Sequence, residues 1–545
     1  MTYSRQSMHD NGTVSLAGVH ATPRASTSGL TRAPGEHYIL TDPDHNSVFS
    51  PGGPNAGSAR LPGARGAHAV SPNAGSGTVG FVGITGPAQA AVNHGGDLEP
   101  PDQGLCSDGS TILEFVNNAL EAYTPSGQVL AGPLAATTVF GVSPSTFLSD
   151  PRCYYDAPSK RWFLTEFVVG TTTSSGAEKT PSTQYVAVSN NSNPLGSYHL
   201  YSIDTTDSTV SGCPCLGDFD QIGADANGFY ISTNEFGISS GAYNGAIIYA
   251  IGKRALEQSG LGAPAPRMIT YRLLNDAFGQ PYHVAPSQTP PGSPFAPNRE
   301  YFVESNSNAP SDSNLLVYTL QGTNLLGRGG VPFLSSTEVS SEAYAFPPNA
   351  NQKAGPIPLG DTVGEPEGTL QADFNAIQEV TYAGGKLYAE LDTAAAGGLD
   401  GIGWFILQPT QTGQTSSVSI VKQGYLTAPN TNLLYPDIAV NAAGRGYMVF
   451  SLAGTNNYPS AADVPFGANG PVGNIQIAGR GAAPEDGFTC YAAFVGPFYG
   501  GCRWGDYSMG VAAGDRIFMA TEYIPPTSRD FYTNWGTYVW SAPRR

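Results

Sequence analysis

Short apolar runs alternate with tight polar turns along most of this chain. From about Cys106 onward, a short apolar run is followed by a turn rich in Asp, Asn, Ala and Gly, and then by a second run rich in aromatic residues. Runs of this length between turn-forming residues are typical of β-strands, whereas apolar positions at helical spacing are scarce. The pattern predicts an all-β main body with one short helix near residues 253–258.

The same two-strand unit recurs along the main body. Clear copies pair residues 150–156 with 161–167, 218–225 with 228–236, 374–378 with 386–390, 435–441 with 446–450, and 504–511 with 516–523, and weaker copies lie near residues 108 and 300. A sandwich has no reason to repeat one hairpin, whereas each blade of a propeller contributes an innermost strand and its partner. Since a bare blade takes roughly 40–50 residues, we expect a β-propeller of seven blades with loop insertions, six or eight being the alternatives.

Residues 1–95 differ from residues 96–545, which we assign to the propeller. The first segment contains no Cys and no Trp, and a stretch such as Ser-Pro-Gly-Gly-Pro-Asn-Ala-Gly at residues 50–57 cannot form a strand ladder. We interpret it as an extended arm or pro-segment that wraps the main body and offers a route to self-assembly. Two apolar pieces, 37–40 and 79–84, are each expected to add a strand. Residues 535–540 are expected to complete a blade begun by N-terminal sequence and so to close the ring.

Net charge and cysteine content limit the binding partners and the compartment that we expect for this protein. The formal net charge is −18, which disfavours binding to nucleic acid or to an anionic membrane surface. No apolar run reaches the length of a membrane span. The six cysteines include no CxxC pair, so an even number of cysteines predicts disulfides in a secreted or cell-surface protein. Cys490 and Cys502 flank a predicted hairpin and are the best pair, although six reduced, buried cysteines are the alternative.

The repeated Asp-rich turn and aromatic strand point to a known architecture. Together with the Trp-Gly-Asp-Tyr-Ser sequence at residues 504–508, they resemble the sialidase-like (BNR-type) group of secreted bacterial β-propellers over residues 103–540. The Asp-box of true sialidases, Ser-x-Asp-x-Gly-x-x-Trp, is absent in clean form, which argues against sialidase activity itself. The resemblance implies a β-propeller architecture and a role with carbohydrate.

Several carboxylates precede or open the predicted inner strands, where a propeller gathers them at one mouth of its channel: Asp150, Asp218, Asp220, Asp373, Asp437 and Asp506. Hydrolysis of a glycosidic bond needs one carboxyl as proton donor and another as nucleophile or base, and clustered acids raise one another's pKa. We therefore name Asp437, Asp506, Tyr435 and Asp150 as candidate catalytic residues. The alternative is that each Asp caps a turn by accepting backbone N–H bonds, which their regular recurrence favours.

Features that break the blade symmetry are candidates for substrate binding. Arg152 and Arg503 stand at inner-strand openings in two blades, Trp504 offers an aromatic face, and His283 is one of two histidines in the propeller. An arginine guanidinium binds a carboxylate through two parallel hydrogen bonds, so these four side chains suit an acidic polysaccharide. The alternative is that both arginines pair with aspartates of neighbouring blades and hold the ring together, and that His283 is a structural histidine.

No cofactor motif is present, and Ca²⁺ is the one candidate ion. The glutamates that recur on the second strands, Glu166, Glu235, Glu304, Glu390 and Glu522, are interpreted mainly as structural and otherwise as Ca²⁺ ligands. Two functions stay open because one fold hosts many functions. One is a glycoside hydrolase or polysaccharide lyase working at the channel mouth. The other is a non-catalytic binding, adhesion or assembly protein.

Overall fold

The protein is described here from a computed structural model. The structure describes residues 2–18, 39–41, 70–71, 77–93, 96–172, 178–207, 210–258, 264–372, 374–412, 415–496, 501–527 and 529–544. Most of the candidate arm, including residues 42–69, lies outside these ranges, as does the candidate acid Asp373.

Seven antiparallel sheets of the described residues form the blades of a propeller, and, apart from the added N-terminal strands, the first strand of each blade along the chain is innermost. The strands of blade 1 are Gly104–Ser107, Ile112–Val116, Ala119–Tyr123 and Val129–Ala135. Those of blade 2 are Ser149–Asp156, Arg161–Val168, Thr183–Ser189 and Ser197–Asp204. Those of blade 3 are Cys215–Ala224, Gly228–Gly237, Tyr243–Gly252 and Arg267–Leu273.

The remaining blades follow the same plan. The strands of blade 4 are Ala285–Pro286, Arg299–Ser305, Ser311–Gln321 and Phe333–Ala345. Those of blade 5 are Ile377–Ala383, Lys386–Ala395, Leu399–Thr412 and Thr415–Leu426. Those of blade 6 are Thr431–Val440, Gly446–Gly454, Asn457–Gly467 and Ile475–Gly479, with a short Gly470–Pro471 beside the third. Those of blade 7 are Met509–Ala513, Arg516–Tyr523, Gly536–Pro543 and, from the N-terminal part of the chain, Val79–Thr85.

The inner strands meet in a closed ring. Each inner strand contacts the inner strands of the blades before and after it, and that of blade 7 contacts that of blade 1. Parallel bridges from Ala224 to Gln288 and from Gln288 to Thr381 join the inner strands of blades 3, 4 and 5. The predicted seven-bladed propeller is therefore confirmed, with all seven first strands around one axis.

N-terminal sequence completes blade 7 and covers the edges of two others. Val79–Thr85 pairs antiparallel with Gly536–Pro543, so the last blade contains both ends of the propeller sequence. Thr2–Ser7 adds a fifth strand to blade 3, and His9–Ser15 adds a fifth strand to blade 2. Val70–Ser71 runs beside Ile475–Gly479, and Ile39–Thr41 pairs with Asp97–Glu99.

Other short elements lie outside the blades. Thr171–Thr172 pairs with Glu178–Thr180. The helices are Gly86–Val92, Ala136–Val139, Lys253–Glu257, Pro358–Val363 and Ala492–Val495, with 3-10 turns at Thr323–Arg328 and Phe488–Cys490. The helix predicted near residues 253–258 is thus present. Within the described residues, no helix is long and apolar enough to cross a bilayer.

Three insertions cover the end of the ring at which the inner strands begin. We call the described residues within 346–370, 480–496, 501–505, 524–527 and 529–535 the cap. Bridges from Ala350 to Leu370 and from Leu370 to Cys502 connect the insertions. Beneath them, Trp504, Trp535 and Tyr435 form one buried hydrophobic cluster, so the cap packs directly on the blades.

The cysteines form three disulfides in the structure. Cys106–Cys153 joins the inner strands of blades 1 and 2, Cys213–Cys215 precedes blade 3, and Cys490–Cys502 joins two parts of the cap. The segment between Cys490 and Cys502 differs from the predicted hairpin, because Ala492–Val495 is a short helix.

Candidate functional site

The inner strands share a local distortion that aims side chains into the channel. In blades 2, 3, 5 and 6 the register shifts between residues 149 and 152, 218 and 221, 377 and 380, and 434 and 437. Asp150, Phe219 and Tyr435 within these bulges have positive φ, and His283 and Asp102 have positive φ just before the inner strands of blades 4 and 1. A bulge re-aims side chains, and such backbone costs about 1–3 kcal/mol per residue. The ring therefore maintains an unfavourable backbone at or just before the start of these inner strands.

Arg152 crosses the channel between opposite sides of the ring. Its guanidinium Nη1 lies 2.7 Å from Oε1 of Glu379 on blade 5, and its Nε donates to the backbone oxygen of Asp220 on blade 3 at 2.8 Å. Its Cζ lies 3.4 Å from the centroid of the Tyr507 ring. Since Arg152 is fully buried, this side chain ties blades 2, 3 and 5 to the segment that enters blade 7.

Three further candidates meet around Tyr507. The Tyr507 hydroxyl donates to Oδ2 of Asp150 at 3.0 Å, and Arg503 pairs with Asp506 at 2.9 Å. The backbone N–H of Asp506 donates to Oδ1 of Asp102 at 3.1 Å. Burial and the charge of Asp150 raise the pKa of Tyr507 well above its usual value. The phenol therefore stays protonated and acts as a hydrogen-bond donor.

Asp437 and Glu379 line one small cavity in the channel. Burial raises the pKa of Glu379 to about 7, against the lowering effect of Arg152. Burial, followed by the charge of Glu379, raises the pKa of Asp437 well above its usual value. The space open to the centres of water-sized molecules in this cavity is about 30 Å³, whereas small-molecule pockets are typically ~300–1,000 Å³. The two acids lie beside a space that admits water and excludes a sugar ring.

Tyr435 and Trp504 lie in the hydrophobic core beneath the cap. Both are fully buried and pack in the cluster that contains Trp535. The backbone N–H of Tyr435 donates to both carboxylate oxygens of Asp392, at 3.1 and 3.0 Å, and its hydroxyl donates to the backbone oxygen of Gln371 at 3.2 Å. Neither aromatic ring is exposed to stack on a ligand.

His283 is buried between blades 3 and 4. Its ring lies 4.4 Å from that of Phe219, and its Nε2 lies 2.9 Å from Nε2 of Gln221. Burial and the charge of Arg152 lower its pKa well below its usual value. The imidazole is therefore neutral.

The remaining acids act on the backbone or on neighbouring polar groups. Oδ1 of Asp218 accepts its neighbour's N–H at 2.9 Å, and Oδ2 of Asp220 accepts from Thr165 and Gln184. The second-strand glutamates Glu166, Glu304, Glu390 and Glu522 accept backbone N–H groups, and Glu235 accepts from Thr233. Among the described residues, no group of three or more His, Cys, Asp or Glu side chains is placed to hold a metal ion.

Asp150 and Arg152 both contact Tyr507, and Arg503 pairs with Asp506, the residue before Tyr507. Tyr435 and Trp504 instead pack in the hydrophobic cluster with Trp535. All eight candidate site residues are at most 3% exposed. Both arginines pair with acids, but not with the aspartates of neighbouring blades that the alternative interpretation named, because Arg152 pairs with Glu379 of blade 5 and Arg503 with Asp506 of its own segment.

Glu379 and Tyr507 are channel residues that were not among the candidates predicted from the sequence. The third repeat was delimited at Gln378, one residue before Glu379. Glu379 and Asp220 occupy the same position within the register shifts of blades 5 and 3. Aligning the repeats at these bulges would therefore have pointed to Glu379. Tyr507 stands next to a named acid, but no sequence signal shows that its hydroxyl meets Asp150.

A second, larger pocket lies on blade 6, away from the channel axis. Its cavity volume is about 350 Å³, and its lining includes Pro429, Thr431, Asn456, Asn457, Ile477 and Arg480. These residues come from the start of the inner strand, the turn between the second and third strands, and the end of the outer strand. We call this the blade 6 pocket.

No family model and no curated protein matches this chain. Similar solved structures include a phage phi92 endosialidase, with 8% identity over 82% of this chain and 68% of that chain and a TM-score of 0.35. An exo-β-1,3-galactanase from Clostridium thermocellum has 9% identity over 84% and 96%, with a TM-score of 0.29. A xylan β-1,4-xylosidase from Bacillus halodurans C-125 has 9% identity over 81% and 94%, with a TM-score of 0.27. TM-scores this low support no conclusion about activity. The seven sheets of this chain are themselves the evidence that it shares the propeller architecture of the sialidase-like group.

Proposed function

We propose that this protein is an extracellular glycan-binding propeller whose ligand occupies the blade 6 pocket rather than the channel. The observation that carries the proposal is the contrast between the two cavities. The channel acids and arginines are buried and paired with one another, and their cavity leaves about 30 Å³. The blade 6 pocket offers about 350 Å³, which falls in the usual range of ~300–1,000 Å³ for ligand sites.

The chemistry of the blade 6 pocket suits a ligand rich in hydroxyl groups. Asn456 and Asn457 both reach it, and Asn457 begins the third strand. Each amide offers donors and an acceptor, the combination that sugar hydroxyls use. The side chains of both make no hydrogen bond with another described residue, so their bonding capacity is available. Three disulfides support action outside the cell.

A second candidate is a glycoside hydrolase that acts at the channel. It is favoured by one observation, the raised pKa values of Glu379 and Asp437 beside a single cavity. A raised pKa supplies the proton donor that glycoside hydrolysis requires. For this activity the ring must widen around Glu379 and Asp437 to admit a substrate, because their cavity leaves about 30 Å³.

A polysaccharide panel tests the two candidates against each other. Wild-type protein is scored for binding by calorimetry, for reducing ends and for unsaturated products. The variant Asn456→Ala/Asn457→Ala removes the amides, and we expect about tenfold weaker binding from two lost hydrogen bonds of about 0.5–1.5 kcal/mol each. Arg445→Ala is the matched control, because Arg445 is exposed on the same blade in the turn at the other end of the inner strand.

The expected result is binding without products, lost in the double variant and kept in the control. Product formation that Glu379→Gln abolishes, in a variant that keeps its melting temperature, establishes the hydrolase instead. A panel that yields neither binding nor product refutes both candidates.

A further inference from the structure

The blade 6 pocket carries a positive side chain with no acidic partner. Arg480 lines the pocket and is exposed. Among the residues that the structure describes, its guanidinium makes no ion pair and no side-chain hydrogen bond. This contrasts with Arg152 and Arg503, whose guanidiniums pair with carboxylates. The Arg480 fork is therefore free to bind a group from outside the chain.

A second cation and an aromatic ring stand beside it. Lys353 of the cap donates its backbone N–H to the backbone oxygen of Asn457 at 3.3 Å, and its Nζ lies 4.5 Å from the centroid of the Tyr458 ring. Within the described part of the chain, this ammonium also has no carboxylate partner. A half-buried ring beside a ligand pocket offers an apolar face with a polar tip, as sugar-contacting aromatic residues do.

Arg480 lines the blade 6 pocket, and Lys353 lies close by, because its backbone N–H is bonded to the pocket residue Asn457. The chain has 25 Lys and Arg against 43 Asp and Glu, and its net charge is −18. The whole-molecule field therefore repels anions, and a local pair of cations is what an anionic ligand needs in order to approach. A planar fork of donors fits a carboxylate with two parallel hydrogen bonds, while the neighbouring amides fit hydroxyl groups.

We infer that the blade 6 pocket binds a carboxylated sugar, namely a uronic acid residue of an acidic polysaccharide. This inference rests on the proposed glycan-binding function and names its ligand class. Arg480 binds the carboxylate, Asn456 and Asn457 bind hydroxyl groups, and Lys353 with Tyr458 contacts the next residue of the polymer.

The probe is a homo-oligomer of galacturonic acid, compared with a neutral galactan oligomer and a sulfated polysaccharide of similar length. We expect the uronate to bind at least tenfold more tightly than the neutral oligomer, and its affinity to fall as salt rises because exposed charges are screened. Arg480→Ala should weaken uronate binding at least tenfold. Arg480→Lys should recover only part of it, since Lys lacks the planar fork. Lys353→Ala should have a smaller effect, and Arg445→Ala none.

The outcomes separate this inference from the function on which it rests. Neutral oligomers that bind as tightly as the uronate, with loss in Asn456→Ala/Asn457→Ala, overturn the uronate assignment and keep the glycan-binding function. Tight binding of the sulfated polymer without the uronate also overturns it. Uronate binding unchanged in Arg480→Ala, at an unchanged melting temperature, refutes this pocket as the site. Binding of no oligomer refutes both proposals.

Discussion

At the scale of single residues, the centre of the ring depends on groups whose partners are far away in sequence. Arg152 meets Glu379 across 227 residues, and Tyr507 meets Asp150 across 357 residues. Repetition in the sequence predicts that inner-strand residues converge, and these contacts are consistent with that expectation. Sequence repetition does not predict which acid pairs with a given arginine, because the pairing depends on the length and direction of each side chain at a bulge.

Replacing Arg152 tests its role in holding the ring together. Arg152→Met leaves the carboxylate of Glu379 buried without its cation, and breaking a buried pair in this way costs about 3–5 kcal/mol. We expect that loss in the free energy of unfolding measured by urea denaturation. Adding Glu379→Gln should restore part of it, because the uncompensated charge is then removed. Stability of Arg152→Met within about 0.5 kcal/mol of wild type, the range of ordinary surface substitutions, would contradict this role.

At the scale of elements, the N-terminal strands are held mainly by backbone hydrogen bonds and two anchors. Most side chains of Thr2–Ser7 and His9–Ser15 are exposed, whereas Met8 and Leu16 are each 2% exposed. Met8 packs among residues of blades 2 and 3, and Leu16 packs among residues of blades 1 and 2. The arm predicted from composition thus forms two strands at its start. The sequence did not predict them, because no strong apolar run occurs there.

Removing one anchor tests how the arm is attached. Met8→Asp places a charge in a packed core, and we expect residues 2–15 to detach. Hydrogen exchange should then rise along Ser197–Asp204 and Arg267–Leu273, the strands that the arm covers. Exposed edges of this kind pair with other chains, so association should also rise with concentration. Ser4→Asp, at an exposed position of the same arm, is the control. Protected edges in Met8→Asp would contradict the attachment.

At the scale of the whole molecule, the fold buries many more acids than bases. Among the described residues, Arg152, Lys253 and Arg503 are the buried Lys and Arg side chains, while buried Asp and Glu side chains occur in every blade. Burial raises the pKa of Glu114, Asp220 and Glu379 to about 7, and those of Glu235 and Glu485 to about 8. The sequence shows an acidic chain, but it cannot show which acids the blades desolvate.

These raised values predict stability that falls as pH rises. A carboxyl with a raised folded-state pKa binds its proton more tightly when folded, so its stabilising effect is full below its usual pKa and is lost as pH passes through the folded value. Between about pH 5 and 7 each such group lowers the free energy of unfolding by about 1.4 kcal/mol per pH unit. Urea midpoints at pH 5, 7 and 9 should therefore decrease in that order.

Glu235→Gln tests the pH effect at one site, where burial is the main cause of the raised pKa. This variant should show a shallower decline in stability between pH 5 and 8 than wild type. Asp108→Asn, on an exposed turn, should leave the slope unchanged. A midpoint that increases from pH 5 to pH 9 would be the opposite of the expected sign.

The number of blades and the closing strand could be predicted because repetition and turn chemistry are local features of the sequence. The cap could not, since its three insertions have no repeat and become a unit only through contacts such as that of Asp486 with Leu359, Gly360 and Arg529. The sequence therefore does not show that candidates such as Tyr435 are buried, because the contacts of the cap join residues far apart in the chain.

The pairing of Val79–Thr85 with Gly536–Pro543 has a consequence for biosynthesis. A strand made early must wait, with its edge unpaired, until residues 536–543 have left the ribosome. Nascent chains that stop before residue 536 keep an open ring with two exposed strand edges, which favours chaperone binding or degradation. Synthesis of Gly536–Pro543 thus becomes the step on which ring closure depends.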